Sequence, residues 1–286
     1  MGNTDIQKVY ARESEAGEYI LVFEKSNEPV LWFVGNWKMN MNKLAITQFF
    51  GDLSGNLIAN PTKPIWICPP ACYLKYTVDA IPAALKDRVR VGAQNICLTT
   101  EDQSGAYTGQ ISAAMVKDCG CSFVLVGQNE VRRYLNATVS QTQIQITSAL
   151  AQDLDMVFFV GETAAERDAG QTQSVLENQL AAIAGFFPLY SNKRFYIVYE
   201  PIWAAGTGST PTPSNINDAI NIIQNWLATT YGLDFESQGF YLFGGAVTSS
   251  NVNVFLQQVT ELNGSCVSGH SLGGTEFANI INIASK

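Results

Sequence analysis

Residues 195–213 read FYIVYEPIWAAGTGSTPTP, and the rest of the chain can be read outward from them. The run FYIVY is short, apolar and rich in aromatic and β-branched residues, which suits a buried strand. Glu200 stands where that strand should end. Pro201 has no N–H to give to a sheet, so the ladder stops there. The small, glycine-rich segment that follows carries one large anchor, Trp203. Thr212-Pro213-Ser214 then supplies a capping hydroxyl and a proline at a helix start. A lone acid at a strand end, followed by a loop hinged by Pro and Gly, fits a general base under a lid. An ordinary surface connection with a solvated glutamate fits the same stretch.

The same strand-then-helix pattern repeats along the chain. Apolar runs occur at 31–36, 64–68, 88–93, 122–127, 156–161, 195–199, 240–245 and 265–269. Helical periodicity fills 45–53, 71–85, 111–119, 138–154, 172–184, 214–231, 248–262 and 275–284. Unalternating strands separated by helices indicate parallel strands covered on both faces. Eight such units in one domain predict an α/β architecture, a closed (β/α)8 barrel over 29–286. A doubly wound open sheet competes, but no GxGxxG follows the first barrel strand. Residues 1–28 do not share the pattern. They contain one strand-like run, at 19–23, and are read as an N-terminal extension packed on the barrel.

Composition narrows the function. The 286 residues include 17 lysines and arginines against 25 aspartates and glutamates, a net charge of −8. That balance argues against nucleic acid or an anionic membrane as the main partner. No apolar run approaches the ~20 residues that span a bilayer. The N-terminus lacks a signal-peptide pattern, and Ile6 replaces the hydroxyl residue of a myristoylation site. An intracellular protein, most simply cytoplasmic, is expected. The six cysteines form no CxxC pair and His270 is the single histidine, so no metal site is expected. Buried free thiols are the simpler reading. His270 reads as a plain loop histidine.

A barrel places its chemistry at the C-terminal ends of its strands. The polar residues there are Asn36 and Lys38, Gln94 and Asn95, Gln128 to Glu130, Glu162, and Glu200. A lysine past the first barrel strand either snorkels outward or points into the mouth and neutralises an anionic substrate. The Gly273-Gly274 pair after the last strand suits backbone N–H contacts to a phosphate, though a tight turn explains it equally well.

The segments GNWKMN, AQN, GAYTGQIS, KDCG, GETAAERDAG, YEPIWAAGTG, FGGAVTSSN and EFANII, in this order, resemble the triosephosphate isomerase family from Val30 onward. The resemblance implies a TIM barrel and cofactor-free interconversion of the two triose phosphates. Glu200 would be the catalytic base, Lys38 the electrostatic partner of the substrate, and Asn36 its support. Glu130 follows in the same strand-end segment. Pro201, Ile202, Trp203, Ala204, Ala205, Gly206, Thr207 and Gly208 would form the lid. Gly206, Ala246, Gly273 and Gly274 would hold the phosphate. The loop at 94–109, with Gln94, Tyr107, Thr108 and Gly109, would insert into a second subunit of a homodimer.

The resemblance breaks at chemically important positions. Gln128 stands where the family carries a histidine, in GQNEVRR against GHSERR. The handling of a neutral histidine in this family is a worked case of pKa tuning, in which the imidazole polarises the substrate carbonyl. A glutamine amide can donate a hydrogen bond, but it cannot relay a proton between two oxygens. Phe243 and Ala246 stand where a tyrosine and a serine latch the closed lid. Two functions therefore compete: a weakened isomerase, and a catalytically silent barrel serving as a structural subunit of a larger assembly. A metal-dependent aldolase ranks behind both, since metal-ligand histidines are lacking.

Overall fold

The computed structural model describes residues 6–13, 19–25, 30–58, 63–186, 195–231 and 240–285. Two strands, β1 (Ile6–Glu13) and β2 (Tyr19–Lys25), pair antiparallel as a sheet of their own. The strand-like run at 19–23 is β2; its partner β1 was not foreseen. Residues 1–5, 14–18 and 26–28 of the extension lie outside the described residues.

Eight parallel strands then close into a barrel. They are β3 (Trp32–Asn36), β4 (Ile65–Cys68), β5 (Val89–Ala93), β6 (Phe123–Val126), β7 (Asp155–Val160), β8 (Phe195–Tyr199), β9 (Phe240–Gly245) and β10 (Leu262–Val267). The order β3 to β10 is sequential, and β10 pairs with β3 to complete the ring. The closed (β/α)8 expectation holds.

Alternation along each strand separates two cores. Trp32, Val34, Trp66, Phe159, Val198 and Cys266 pack inside the barrel. Phe33, Ile67, Val126, Phe158, Ile197 and Phe243 face the helices. Both faces are dry, so the strands must be apolar throughout, and that is why the runs do not alternate in sequence. Truncating a ring such as Phe33 or Phe158 would cost about 3–5 kcal/mol.

The outer helices are α1 (Lys43–Asn56), α2 (Leu74–Asp79), α3 (Ala113–Asp118), α4 (Asn129–Tyr134), α5 (Val139–Ala151), α6 (Ala164–Asp168), α7 (Thr172–Leu180), α8 (Pro213–Tyr231), α9 (Val252–Gln258) and α10 (Gly274–Ile283). Local chemistry fixes several starts. Asn42 caps α1 by accepting from Ala45 N at 2.9 Å. Thr138 and Gln141 form a capping box on α5, as Thr163 and Glu166 do on α6. Thr212 Oγ1 accepts from Asn215 N at 3.2 Å where α8 begins.

Three expectations are corrected. The helix read across 71–85 is broken into two single turns of 3-10 helix around α2, because Pro82 has no N–H to continue the ladder. The helix read across 248–262 shrinks to α9, and β10 begins at Leu262, not 265. Gly264, at φ +147, sits inside that strand and masked it as a loop. The short helices α4 and α6 fall in segments to which no helix was assigned.

Candidate active site

Every residue in the barrel mouth is there because a strand ends beneath it. Asn36 closes β3 and is 3% exposed. Its Oδ1 accepts from Lys38 N at 3.0 Å, an Asx-type turn that supports Lys38 in left-handed backbone at φ +49. Left-handed backbone costs a non-glycine residue about 1–2 kcal/mol, so a second restraint is informative. Gln94, at the end of β5, supplies it: Nε2 donates to Lys38 O at 2.9 Å and to Cys68 O at 2.8 Å. Three strand ends thereby fix where the Lys38 side chain starts.

The Lys38 ammonium reaches Glu130 Oε1 at 2.5 Å. Burial alone would lower the Lys38 pKa, but the charges of Glu200 and Glu130 outweigh it and hold the group above its ordinary value. Lys38 is therefore a fixed cation in the mouth.

Glu200, one residue past β8, is 1% exposed. Its N–H donates to Val160 O at 2.8 Å, and neither carboxylate oxygen has a hydrogen-bond partner. Burial pushes its pKa up; Lys38 and Arg132 pull against that, and Glu130 adds to it. A carboxylate stripped of water and of donors has its basicity raised, which suits a group that takes a proton from carbon. Gly161 makes the position available, since a Cβ there would stand 1.9 Å from Glu200 O.

Gln128 is 4% exposed. Asn36 Nδ2 donates to its Oε1 at 3.4 Å, which leaves Nε2 as a buried donor with no partner. The amide is thus presented donor-first. Behind it, the Arg132 guanidinium donates to Gly127 O and, at 2.8 Å, to Phe159 O. Burial brings the Arg132 pKa down to about 10.

At the foot of the lid, Glu162 is fully buried. Its Oε1 accepts from Tyr199 OH and from Trp203 Nε1, both at 3.0 Å. Burial raises the Tyr199 pKa, and the Glu162 charge raises it further. The Arg167 guanidinium lies 4.2 Å from the Trp203 ring centroid, a cation–π contact. Trp203 is therefore held on its edge and its face. The segment then runs outward: Ala204 is buried, while Gly206, Thr207 and Gly208 are exposed. Gly206 and Gly208 take φ +72 and +84.

A family model described as triosephosphate isomerase matches residues 31–284, the whole barrel. The chain belongs to the triosephosphate isomerase family. Over 253 residues it is 36% identical to "Triosephosphate isomerase" of Taenia solium, covering 88% of this chain and 97% of that protein. The protein of the same name from Hydrogenovibrio crunogenus is 32% identical over 256 residues, 90% of this chain and 98% of its own. "Triosephosphate isomerase, chloroplastic" of Secale cereale is 33% identical over 248 residues, 87% and 80% respectively.

Within this triosephosphate isomerase barrel, the sequence-level assignments divide. Asn36, Lys38, Gln128 and Glu130 are linked by the contacts above, and Glu200 joins them through the charges of Lys38 and Glu130. Gln94 borders them, its amide donating to Lys38 O and Cys68 O. Tyr107, Thr108 and Gly109 lie instead on an exposed projection spanning 104–110. Phe243 has a packing role: its ring is buried edge-on against Phe255, centroids 4.9 Å apart. Ala246 follows the end of β9, its carbonyl accepting from Asn251 Nδ2 at 2.7 Å.

A Cβ on Gly274 would stand 2.2 Å from Phe49 O, so a glycine there lets α10 approach α1 closely. Gly273 is exposed at the start of α10. The residues directly above β10 are Ser268 and Gly269. They were read as part of the strand, whose end was placed two residues late, at 269. Arg132 and the anchoring role of Glu162 were also missed; Glu162 stood at a strand end, but its partners lie far along the chain.

No helix among the described residues is long and apolar enough to cross a membrane. All six cysteines are free thiols. No group of three or more histidine, cysteine, aspartate or glutamate side chains that could hold a metal occurs among the described residues.

Proposed function

We propose that this chain interconverts glyceraldehyde 3-phosphate and dihydroxyacetone phosphate by proton transfer through an enediolate, without a cofactor and more slowly than a histidine-bearing relative. The observation that carries this reading is Glu200: a buried carboxylate with raised pKa and no hydrogen-bond partner on either oxygen, within the field of the Lys38 ammonium, at a mouth where Gln128 Nε2 is also an unpartnered buried donor.

Glu200 takes a proton from the carbon next to the carbonyl, and the carbonyl oxygen gains the negative charge. Lys38 and Gln128 Nε2 stabilise that oxyanion. Return of the proton to the neighbouring carbon, with the enediolate's hydroxyl proton crossing from one oxygen to the other directly within the cis-enediolate, gives the isomer with no redox partner. Glutamine supplies the hydrogen bond but not the relay of a proton between the two oxygens. The lid, anchored through Trp203, excludes water while the enediolate exists. Gly206 and the backbone around Ala246 serve the phosphate. Tyr107, Thr108 and Gly109 serve a homodimer by entering a second copy.

A silent barrel built into a larger assembly is the second reading, favoured by Gln128 and by the absent hydroxyl at Ala246. A coupled assay on protein from a host lacking its own isomerase separates the two. Activity that disappears in Glu200→Ala supports the enzyme. Activity absent from the wild type, or equal in both proteins, overturns it.

A further inference from the structure

On the outer side of the ring, between α5 and α7, lies a cavity of about 410 Å³. Small-molecule sites span roughly 300–1,000 Å³, so a metabolite fits. The cavity lies behind the mouth: Phe158 lines it from the barrel side, and Phe158 belongs to the layer that faces the helices. The rim is polar and exposed, with Thr138 at the start of α5 and Gln171, Ser174 and Asn178 in and beside α7.

Two opposite charges line this cavity, Arg132 and Glu166. The Arg132 guanidinium uses Nη1 for Gly127 O and Phe159 O. Its Nε and Nη2 make no hydrogen bond among the described residues, and neither is among the polar atoms sealed away from water. They are therefore open to a ligand. Together they form the edge of the guanidinium that grips a carboxylate through two parallel hydrogen bonds. With a pKa near 10 the group is still charged at neutral pH. Glu166 uses Oε2 for its capping box, accepting from Thr163 N at 2.7 Å and Thr163 Oγ1 at 2.8 Å. Its Oε1 has no partner among the described residues and is not sealed either. The Glu166 charge is close enough to raise the Arg132 pKa, so the two groups are near neighbours. A plain anion would be repelled by Glu166 and a plain cation by Arg132. A molecule that carries both charges meets a partner for each.

We infer that this cavity is a second binding site, for a polar α-amino acid. Its carboxylate lies on Nε and Nη2 of Arg132, its ammonium on Oε1 of Glu166, and its side chain among the amides and hydroxyls of the rim. The site stands independently of the activity proposed above, yet its wall is tied to the mouth. Arg132 holds the carbonyl of Gly127, the residue before Gln128. Gln179, also in the wall, accepts from Gly161 N at 2.8 Å and donates to Gly161 O at 3.0 Å. Gly161 in turn lies against Glu200 O. A bound amino acid thus touches the side chains that hold two strand ends of the active site.

The test titrates L-glutamine calorimetrically into the full chain. Wild type should bind it saturably. Glutaramate, the same molecule without its amino group, should bind about tenfold or more weakly, because a charge-assisted hydrogen bond is lost. Glu166→Gln keeps an acceptor oxygen for Thr163, so the capping box survives, and it should weaken L-glutamine by a similar factor at unchanged melting temperature. Ser174→Trp fills the exposed entrance and should abolish binding, which keeps the test decisive should Glu166→Gln misfold. No saturable binding by wild type, or binding that survives Ser174→Trp, overturns the site. Glutaramate binding as tightly as L-glutamine, or undiminished affinity in Glu166→Gln, overturns the ammonium contact and with it the ligand class.

Discussion

The ammonium of Lys38 and the carboxylate of Glu130, 92 residues apart in sequence, meet at 2.5 Å across the mouth of the barrel. This pair sets the charge that Glu200 sees. Glu130 also engages the cation that a substrate oxyanion must use. In Glu130→Gln that competition is weaker and one negative charge near Glu200 is gone. KM should fall, and the acid limb of the kcat/KM profile should move to lower pH, because Glu130 contributes to raising the Glu200 pKa. An unmoved acid limb would show that the two carboxylates do not interact.

Glu200 makes its own pH-dependent mark on stability. Its folded pKa is raised, so between the ordinary carboxylate value and the folded value the native state holds more protons than the unfolded chain. Stability then falls as pH rises through that window. Glu200→Gln should melt higher than wild type at pH 8, with the difference closing as pH falls below about 4. Melting curves at several pH values measure this; a constant difference would argue that Glu200 is not desolvated.

Gln128→His tests the missing proton relay. General acid–base assistance contributes about 10²–10⁴ in rate, so a histidine in this pocket should raise kcat by tenfold or more. Phosphate affinity should stay put, since the proposed role of Gln128 is at the reacting carbonyl and not at the phosphate. A kcat that does not rise would favour the silent barrel.

Removing the Glu162 acceptor strands two donors. In Glu162→Leu the Tyr199 hydroxyl and the Trp203 indole lose their shared oxygen, and an orphaned buried donor costs about 1–3 kcal/mol. Thermal melting should shift down by about 2–4 °C per kcal/mol lost, and cleavage within the lid by a protease should speed up. Glu162→Gln keeps an acceptor oxygen and should fall between. Equal protease rates in all three proteins would show that Trp203 is not the lid's anchor.

Gly161→Ala should disable the protein without touching a chemical group. The added methyl would collide with Glu200 O, 1.9 Å away, so β7 and β8 must separate. Activity should be lost together with melting temperature. Near-wild-type kcat/KM would mean that the base tolerates displacement.

The sequence by itself determined the barrel, because strands buried on both faces must be apolar throughout and the helices between them must show a 3.6 period. It also pointed to the candidate site, since Glu200, the segment after it and Lys38 stand at or just past local strand ends. The tertiary structure alone decided how those strand ends combine. Closure of β10 onto β3 brings Ser268 beside Asn36, and the β3–β6 juxtaposition sets the Asn36–Gln128 contact that turns the amide donor-first. It also showed that Gly274 lets α10 pack close to α1 and that the Arg132 guanidinium holds the Gly127 and Phe159 carbonyls. These contacts join residues far apart in the chain. Local propensity carries no record of such pairings, because which strand ends become neighbours is fixed only when the ring closes.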